Sequence, residues 1–261
     1  MITSPTNDKV KMVRRLQNER RFRAQERVFV VEGDRWLAEL VRHQIAPRHL
    51  FFTAAWQATH AEILAQLAEF THHPGLLVNE TVMAAMSDTT TPPGVLAVVA
   101  IPNLPLPPQP SLLLILDAMN NPGNLGTMLR TAAAAGVDGV LLAPGSVDAT
   151  NPKVARGSMG ALLRLPVHAL GWAQIAEVVR GMTVWLADVE AGEVYTAVPW
   201  QPPSALIIGS EAGGAGQEAY QLAHGRVTIP MHAATESLNA AVAAAVILFE
   251  ARRQRDEGVK G

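Results

Sequence analysis

Short apolar runs alternate with helically spaced apolar positions along most of the chain, and that alternation predicts an α/β protein. In the first hundred residues Val28-Phe29-Val30-Val31, Leu50-Phe51-Phe52, Leu76-Leu77-Val78 and Val95–Ala100 read as strands. Between them, Asp34–Arg42 puts Trp36, Leu37, Leu40 and Val41 on one side of a helix, and Ala61–Phe70 is a second helical pattern. Together they predict a small α/β sandwich of ~100 residues. Further on, Leu112–Leu116 is continuously apolar and ends in Asp117, the look of a parallel strand buried on both faces. Gly139–Leu142, Thr183–Ala187, Ala205–Ile208 and Val227–Ile229 read as further strands. The Ala-rich stretch Leu125–Ala135 predicts a helix stopping at Gly136, a fitting C-cap. A last helix is expected over Ser237–Gln254, capped by Ser237, with Leu238, Ala241, Val242, Ala245, Val246 and Phe249 at helical spacing. This half predicts an open parallel sheet with helices on both faces. There is no internal repeat.

The clearest boundary is Pro102-Asn103-Leu104-Pro105-Leu106-Pro107-Pro108-Gln109-Pro110. So many prolines cannot continue a helix or a central strand, and they favour an extended spacer. The expected organisation is a first domain over 1–100, a linker over 101–110 and a second domain over 111–261.

With 261 residues, 49% of them hydrophobic and 17% charged, the chain has the makings of ordinary globular domains rather than disorder. The net charge of −2 does not advertise a polyanion partner, but residues 1–27 carry eight Lys or Arg against three acidic residues. That segment is either a solvated helix face or a patch that binds phosphates. The absence of cysteine excludes disulfides, thiolate metal sites and cysteine nucleophiles, and with them the covalent-adduct route to pyrimidine C5 methylation. The eight histidines show no metal-ligand spacing. His72 and His73 are neighbours that point apart in an extended segment, and His168, His224 and His232 are isolated, so no metal is expected. No apolar run reaches the ~20 residues that span a bilayer, and no secretory signal opens the chain. The expected setting is cytoplasmic, without a membrane partner.

Three segments carry the candidate chemistry. Asn120-Asn121-Pro122-Gly123-Asn124 is turn-forming, and Arg130 follows inside an otherwise apolar helix. That arginine is either a snorkelling surface residue or a guanidinium for an RNA phosphate or ribose. Gly209-Ser210-Glu211-Ala212-Gly213-Gly214-Ala215-Gly216 follows a buried strand, and its glycines permit close backbone approach to a ligand. The spacing fits neither the dinucleotide fingerprint nor the Walker loop, so an NAD dehydrogenase and a P-loop NTPase are disfavoured. Ile229-Pro230-Met231 ends a strand, and Ser237-Leu238-Asn239 opens the last helix, where Asn239 is not needed as a cap.

In this order and spacing the three segments resemble the signature motifs of the SpoU family of RNA ribose 2′-O-methyltransferases, a branch of the SPOUT superfamily. Asn151-Pro152-Lys153-Val154 and Ser158-Met159-Gly160-Ala161 are similar to an intervening stretch of the family. Val30-Val31-Glu32-Gly33 and Thr91-Pro92-Pro93-Gly94-Val95-Leu96-Ala97 resemble its N-terminal substrate-binding domain of the ribosomal L30e-like type. The resemblance implies an α/β fold with a C-terminal trefoil-knotted parallel sheet, an exception to general topology rules. It implies S-adenosylmethionine as cofactor, held around Ile208, Gly209, Glu211, Gly213, Ile229, Met231, Ser237 and Leu238. It implies catalytic roles for Asn124, Arg130, Glu211, Ser237 and Asn239, and a homodimer through the catalytic domain. RNA would be held by Lys9, Lys11, Arg14, Arg15, Arg20, Arg21, Arg23, Arg130 and Arg156. The expected reaction is 2′-O-methylation of RNA, with 23S rRNA favoured over tRNA. A non-catalytic RNA-binding factor is the rival from another class.

Overall fold

In a computed structural model the described residues are 1–71, 75–201, 203–211, 213–232 and 237–258. His72, His73 and Ala212 lie outside them. Contacts divide the chain into two units: Met1–Pro102 with Thr150–Leu163, and Asn103–Ala149 with Arg164–Gly261.

The first unit opens with helices α1 (Asp8–Asn18) and α2 (Arg20–Glu26). Asn7 caps α1, its side chain accepting from Lys9 N, and Asp8 stands in the first turn, where the helix dipole favours an anion. Strand β1 (Val28–Glu32), α3 (Asp34–Arg42), β2 (His49–Thr53), α4 (Ala54–Thr59), α5 (Ala61–Ala68), β3 (Leu76–Val78), α6 (Glu80–Met86) and β4 (Val95–Ala100) follow. The sheet order is β1-β4-β2-β3, with β4 antiparallel to both neighbours and β2 parallel to β3. Val10, Val13 and Leu16 of α1 are buried in a core with Val28, Phe51, Val82, Met83 and Leu96. The basic N-terminal segment is therefore amphipathic: one face completes the core and the other carries charge.

The second unit begins with β5 (Leu112–Leu116), α7 (Pro122–Ala135) and β6 (Gly139–Leu142). Helix α7 starts three residues before the expected Leu125. Asn121 caps it, accepting from Gly123 N at 2.9 Å, and Pro122 occupies the first helical position, where its missing N–H costs nothing. Gly136 ends it in the left-handed region, φ 75°. The chain then returns to the first unit as α8 (Pro152–Ser158), which packs on β1. This departs from the expectation that all of 111–261 forms one domain. The remaining elements are β7 (Val167–Ala169), α9 (Trp172–Val178), β8 (Thr183–Ala187), β9 (Glu193–Val194), β10 (Ser204–Ile208), α10 (Gln217–Leu222), β11 (Gly225–Thr228) and α11 (Ala240–Gly258).

These strands form one sheet, order β7-β6-β5-β10-β8-β11-β9, in which every pairing is parallel. The chain moves outward from β5 in one direction to β6 and β7, then resumes beyond β10 in the other. That reversal, at the carboxyl ends of β5 and β10, is where open α/β sheets place ligands. Strands β5 and β10 are buried along their whole length, as continuous apolar runs require.

Helix α11 corrects two expectations. It begins at Ala240, not Ser237, and its cap is Asn239, whose Oδ1 accepts from Ala241 N at 2.9 Å and Val242 N at 3.3 Å. Its buried face is Ala240, Ala241, Ala244, Ile247, Leu248 and Ala251, packed on α7. Val242 and Phe249 of the expected apolar stripe are each 48% exposed. Among the described residues no helix is long and apolar enough to cross a membrane, and no cluster of three metal-binding side chains occurs.

Candidate active site

The Gly-rich segment after β10 is a pinned loop. A Cβ on Gly209 would lie 2.5 Å from Ala215 N and Gly214 C, so only glycine lets the returning backbone pass. Ser210 N donates to Gly214 O at 2.8 Å, and Gly214 N donates to Ser210 O at 3.0 Å. Gly214 takes φ 65°, a conformation natural to glycine. The far end of the loop is tied to the neighbouring strand: Gly216 N donates to Asp117 Oδ2 at 2.6 Å, and Asp117 N donates to Ile208 O at 2.9 Å. Asp117 is buried, so Asp117→Ala would leave the Gly216 N–H without its acceptor. The expected cost is about 1–3 kcal/mol. Thermal unfolding should show a lower Tm, with weaker cofactor binding from the loosened loop. An unchanged Tm would mean that water replaces the carboxylate at no cost.

Glu211, on this loop, joins the other two motif segments. Its Oε1 accepts from Asn239 Nδ2 at 2.6 Å and from Asn124 Nδ2, and Asn239 Nδ2 also reaches Asn124 Oδ1 at 3.1 Å. The three residues come from the start of α7, the loop after β10 and the cap of α11. Asn239 therefore does two jobs: its oxygen caps the helix and its amide nitrogen orients Glu211. Both amides converge on one carboxylate oxygen, and Oε2 has no hydrogen-bond partner among the described residues. The carboxylate is thus fixed in place with an acceptor to spare.

Beside this triad lies a cavity of about 710 Å³. Its walls include Ile208, Gly209, Glu211, Gly213, Ile229, Met231, Ser237 and Leu238, the eight residues singled out for a cofactor. The volume is that of a small-molecule site, and the lining mixes aliphatic side chains with backbone groups and a few polar ones. Ser237 lines the cavity without a hydrogen bond to the triad.

Sequence reasoning missed a further wall. Asp188, Val189 and Glu190, directly after β8, and Tyr220 of α10 also line the cavity. Asp188 Oδ1 accepts from Glu190 N at 2.8 Å, and Oδ2 takes the Tyr220 hydroxyl at 3.1 Å and Arg226 Nη1 at 3.3 Å. Burial works to raise the Asp188 pKa, but these donors outweigh it and hold the carboxyl below its ordinary value. The Tyr220 hydroxyl is pushed up, by burial and then by Asp188. The signal was available: Asp188-Val189-Glu190 is a polar turn after an apolar strand, like the three segments chosen.

Arg130 is not in the cavity wall. It is exposed, six residues beyond Asn124, which on an α-helix is about 9 Å along the axis and roughly 240° around it. Among the described residues it makes no hydrogen bond or ion pair. Of the basic residues expected to meet RNA, Lys9, Lys11, Arg14, Arg15, Arg20 and Arg21 are exposed on α1 and α2. Arg15 is bonded to Glu19 at 3.1 Å and lies 3.8 Å over the Phe22 ring, and Lys11 pairs with Asp8 at 3.3 Å. Arg156 is exposed and pairs with Asp88 at 3.2 Å. Arg23 is a correction. It is 3% exposed, donating to Leu16 O at 2.7 Å and to Thr150 Oγ1 at 3.3 Å, and so belongs to the interior of the first unit. A chain segment that ends without a following helical turn leaves its carbonyls orphaned, and a buried guanidinium satisfies them.

Comparison with known proteins adds to this geometry. Residues 111–249 match the profile of the SpoU rRNA Methylase family, and residues 7–97 that of the MRM3-like substrate binding domain. The chain is 30% identical to the 23S rRNA (guanosine(2553)-2′-O)-methyltransferase of Bacillus subtilis, over 96% of this chain and 98% of that protein. It is 36% identical to an uncharacterised tRNA/rRNA methyltransferase of Synechocystis, over 97% of this chain and 94% of that one. Among solved structures, the AdoMet-bound rRNA methyltransferase from Sinorhizobium meliloti superposes with a TM-score of 0.84 at 27% identity, covering 97% of each chain. The SpoU methyltransferase AviRb from Streptomyces viridochromogenes, in complex with AdoMet, gives 0.85 at 27% identity, covering 96% of this chain and 98% of that one.

Proposed function

This chain belongs to the SpoU rRNA methylase family, and from that premise we propose that it transfers a methyl group from S-adenosylmethionine to a ribose 2′-hydroxyl of 23S rRNA. The observation that carries the reading is the Asn124–Glu211–Asn239 triad set beside a 710 Å³ cavity. Three distant segments meet there at the sheet's switch point.

When bound, S-adenosylmethionine supplies a methyl group made electrophilic by the sulfonium charge. The cavity residues exclude water from it, through the aliphatic walls of Ile208, Ile229 and Leu238, and offer backbone groups at Gly209 and Gly213. Glu211 and the two asparagines orient the ribose, since alignment of the reactants supplies as much as about 7–11 kcal/mol in favourable cases. Arg130 binds the adjacent phosphate and stabilises charge on the attacking 2′-oxygen. A guanidinium with pKa above ~12 holds its proton, so electrostatic stabilisation suits it better than proton abstraction.

The protein acts as a homodimer through its catalytic half, in the cytoplasm, on a knotted sheet. Exposed Val242 and Phe249 on α11 support an interface there, as exposed apolar side chains on one helix favour a partner. Arg130, away from the cavity wall of its own chain, would then serve a site close to the interface.

The first unit holds RNA phosphates with Lys9, Lys11, Arg14, Arg15, Arg20 and Arg21 on the outer faces of α1 and α2. Removing residues 1–27 would not test this, because Val10, Val13 and Leu16 complete a core. Replacing Arg14, Arg20 and Arg21 by glutamine tests it instead. Affinity for 23S rRNA should fall, and the slope of log K against log salt should shrink by roughly 0.7–0.9 per lost phosphate contact. An unchanged slope would remove these residues from the interface.

The deciding experiment is tritium transfer from labelled S-adenosylmethionine to separated, unmodified 23S rRNA, 16S rRNA and tRNA. Label in 23S rRNA that survives alkali as a resistant dinucleotide is the expected result. Label on tRNA alone would move the substrate. RNA binding without label on any pool would favour a non-catalytic factor.

A further inference from the structure

The turn after β8 is pinned at both ends and leaves a carboxylate unspent on the cavity wall. Asp188 N donates to Val227 O at 2.9 Å, and Asp188 Oδ1 accepts from Glu190 N at 2.8 Å. Gly192 closes the turn so near β11 that a Cβ there would lie 2.7 Å from Arg226 O. The Asp188 side chain is only 6% exposed, and its Oδ2 is taken by the Tyr220 hydroxyl and Arg226. Glu190 lines the same wall, is exposed, and makes no hydrogen bond or ion pair among the described residues. Its carboxylate lies close enough to the Tyr220 hydroxyl to add to the rise in that group's pKa, after burial and Asp188. A carboxylate on a pinned turn, with both oxygens open, is a preorganised acceptor.

Sheet order places Glu190 relative to the methyl-transfer triad. Asn124 follows β5 and Glu211 follows β10, while Glu190 follows β8, the next strand across. Neighbouring strands are about 4.8 Å apart. A ligand whose reacting centre sits beside Glu211 therefore reaches Glu190 with a group a few bonds away. S-adenosylmethionine extends two such arms from sulfur, the amino acid and the adenosyl ribose. The amino-acid arm ends in a carboxylate beside its ammonium. This wall repels that carboxylate, because it presents Asp188 and Glu190, and the cation beside them, Arg226, is already paired with Asp188. The ribose arm is uncharged and carries adjacent hydroxyl donors, which match the paired oxygens of a carboxylate. Dinucleotide-binding folds use an acidic side chain for the same ribose hydroxyl chemistry. Val227, Ile229 and Ile247 give the cavity an apolar side that suits the purine.

We propose that Glu190 is a specificity residue for the cofactor, its carboxylate accepting hydrogen bonds from the 2′- and 3′-hydroxyls of the adenosyl ribose. This rests on the reading that S-adenosylmethionine fills the cavity, and it adds a side-chain contact on a wall remote from the three motif segments. It also sets the direction of the cofactor: ribose towards β8 and β11, sulfonium towards Glu211.

The test is calorimetry on the full-length protein with S-adenosylhomocysteine, its 2′-deoxy and 3′-deoxyribose analogues, and 5′-methylthioadenosine, which has no amino-acid arm. The unaltered protein should bind each deoxy analogue about tenfold more weakly than S-adenosylhomocysteine, the lower end for a hydrogen bond to a charged group because Glu190 is open to solvent. Glu190→Ala should weaken S-adenosylhomocysteine and methylthioadenosine by the same factor, about tenfold, and should shrink the penalty for each missing hydroxyl. Glu190→Gln, which keeps a single acceptor oxygen on the same stem, should fall between. A deoxy penalty that is unchanged in Glu190→Ala would overturn the proposal. So would a loss seen with S-adenosylhomocysteine but not with methylthioadenosine, which would place Glu190 at the amino-acid arm instead. An unchanged Tm in both variants, expected for an exposed side chain, separates a local effect from misfolding. Failure of the unaltered protein to bind S-adenosylhomocysteine would sink the cofactor reading and this inference together. Normal binding without a ribose preference would sink this inference alone. A ribose preference that depends on Glu190, without methyl transfer to 23S rRNA, would sink the rRNA reading alone.

Discussion

Replacing Arg130 by alanine should lower the rate of methyl transfer by about 10²–10³-fold, the usual effect of removing one group that stabilises developing charge. Binding of S-adenosylhomocysteine should not change, because Arg130 is outside the cavity wall. The side chain is exposed and makes no hydrogen bond or ion pair among the described residues, so its loss leaves no buried partner stranded. Stability should stay within the small range of surface substitutions, about 0.5 kcal/mol. A single-turnover measurement with labelled cofactor separates the rate from binding. Arg130→Lys refines the point. A lysine keeps the charge but not the planar fork, so a requirement for bidentate phosphate contact predicts that the lysine variant stays impaired. If it retains most of its turnover, a specific guanidinium role is wrong and simple positive charge suffices.

The second large effect is expected at Gly209. An alanine methyl there would sit 2.5 Å from the Ala215 amide and the Gly214 carbonyl carbon, and 2.6 Å from Gly214 O. All three are backbone atoms of a loop held by the Ser210–Gly214 pair and by Asp117, so no flexible side chain can yield. The loop must open. Overpacking of this kind costs about 1–3 kcal/mol. The functional effect should be greater than the stability effect, because the displaced loop is the floor of the cavity and carries Glu211. Calorimetry should show no measurable S-adenosylhomocysteine binding, while circular dichroism retains the α/β signature. A Gly209→Ala protein that binds the cofactor normally would contradict the tight passage seen here. Gly214, which takes φ 65° with nothing near its missing side chain, should instead respond through backbone strain alone.

Much of the molecule was legible in the residues. Helix α3 coincides with its expected span, and the buried strands β5 and β10 lie on the continuous apolar runs. Two of the three polar segments line one cavity, and the first reaches its edge through Asn124, which is bonded to Glu211 and Asn239. They were readable because glycine, proline and asparagine mark strand ends by their own backbone preferences, independent of what lies nearby.

The parts that were not legible depend on partners remote in sequence. Arg23 looks like its neighbours in a basic segment, and only the carbonyls around it distinguish an interior guanidinium from a surface one. Ser237 and Asn239 are both good caps. Asn239 serves because the helix begins at Ala240, and it also meets Glu211 and Asn124, 28 and 115 positions away. Asp117 and Asp188 are single acids at strand ends whose roles come from a loop amide in one case and a tyrosine and an arginine in the other. Residues 150–163 sit in the middle of the second half of the chain yet pack with the first unit. Local sequence determined the strands, the turn-forming loops and the chemical character of the site, because these follow from short-range periodicity and backbone preference. Which carboxylate meets which donor, which face of α1 and α11 is buried, and which arginine reaches solvent were decided by the tertiary structure, because each depends on the free energy of burying a group against partners the local pattern does not specify.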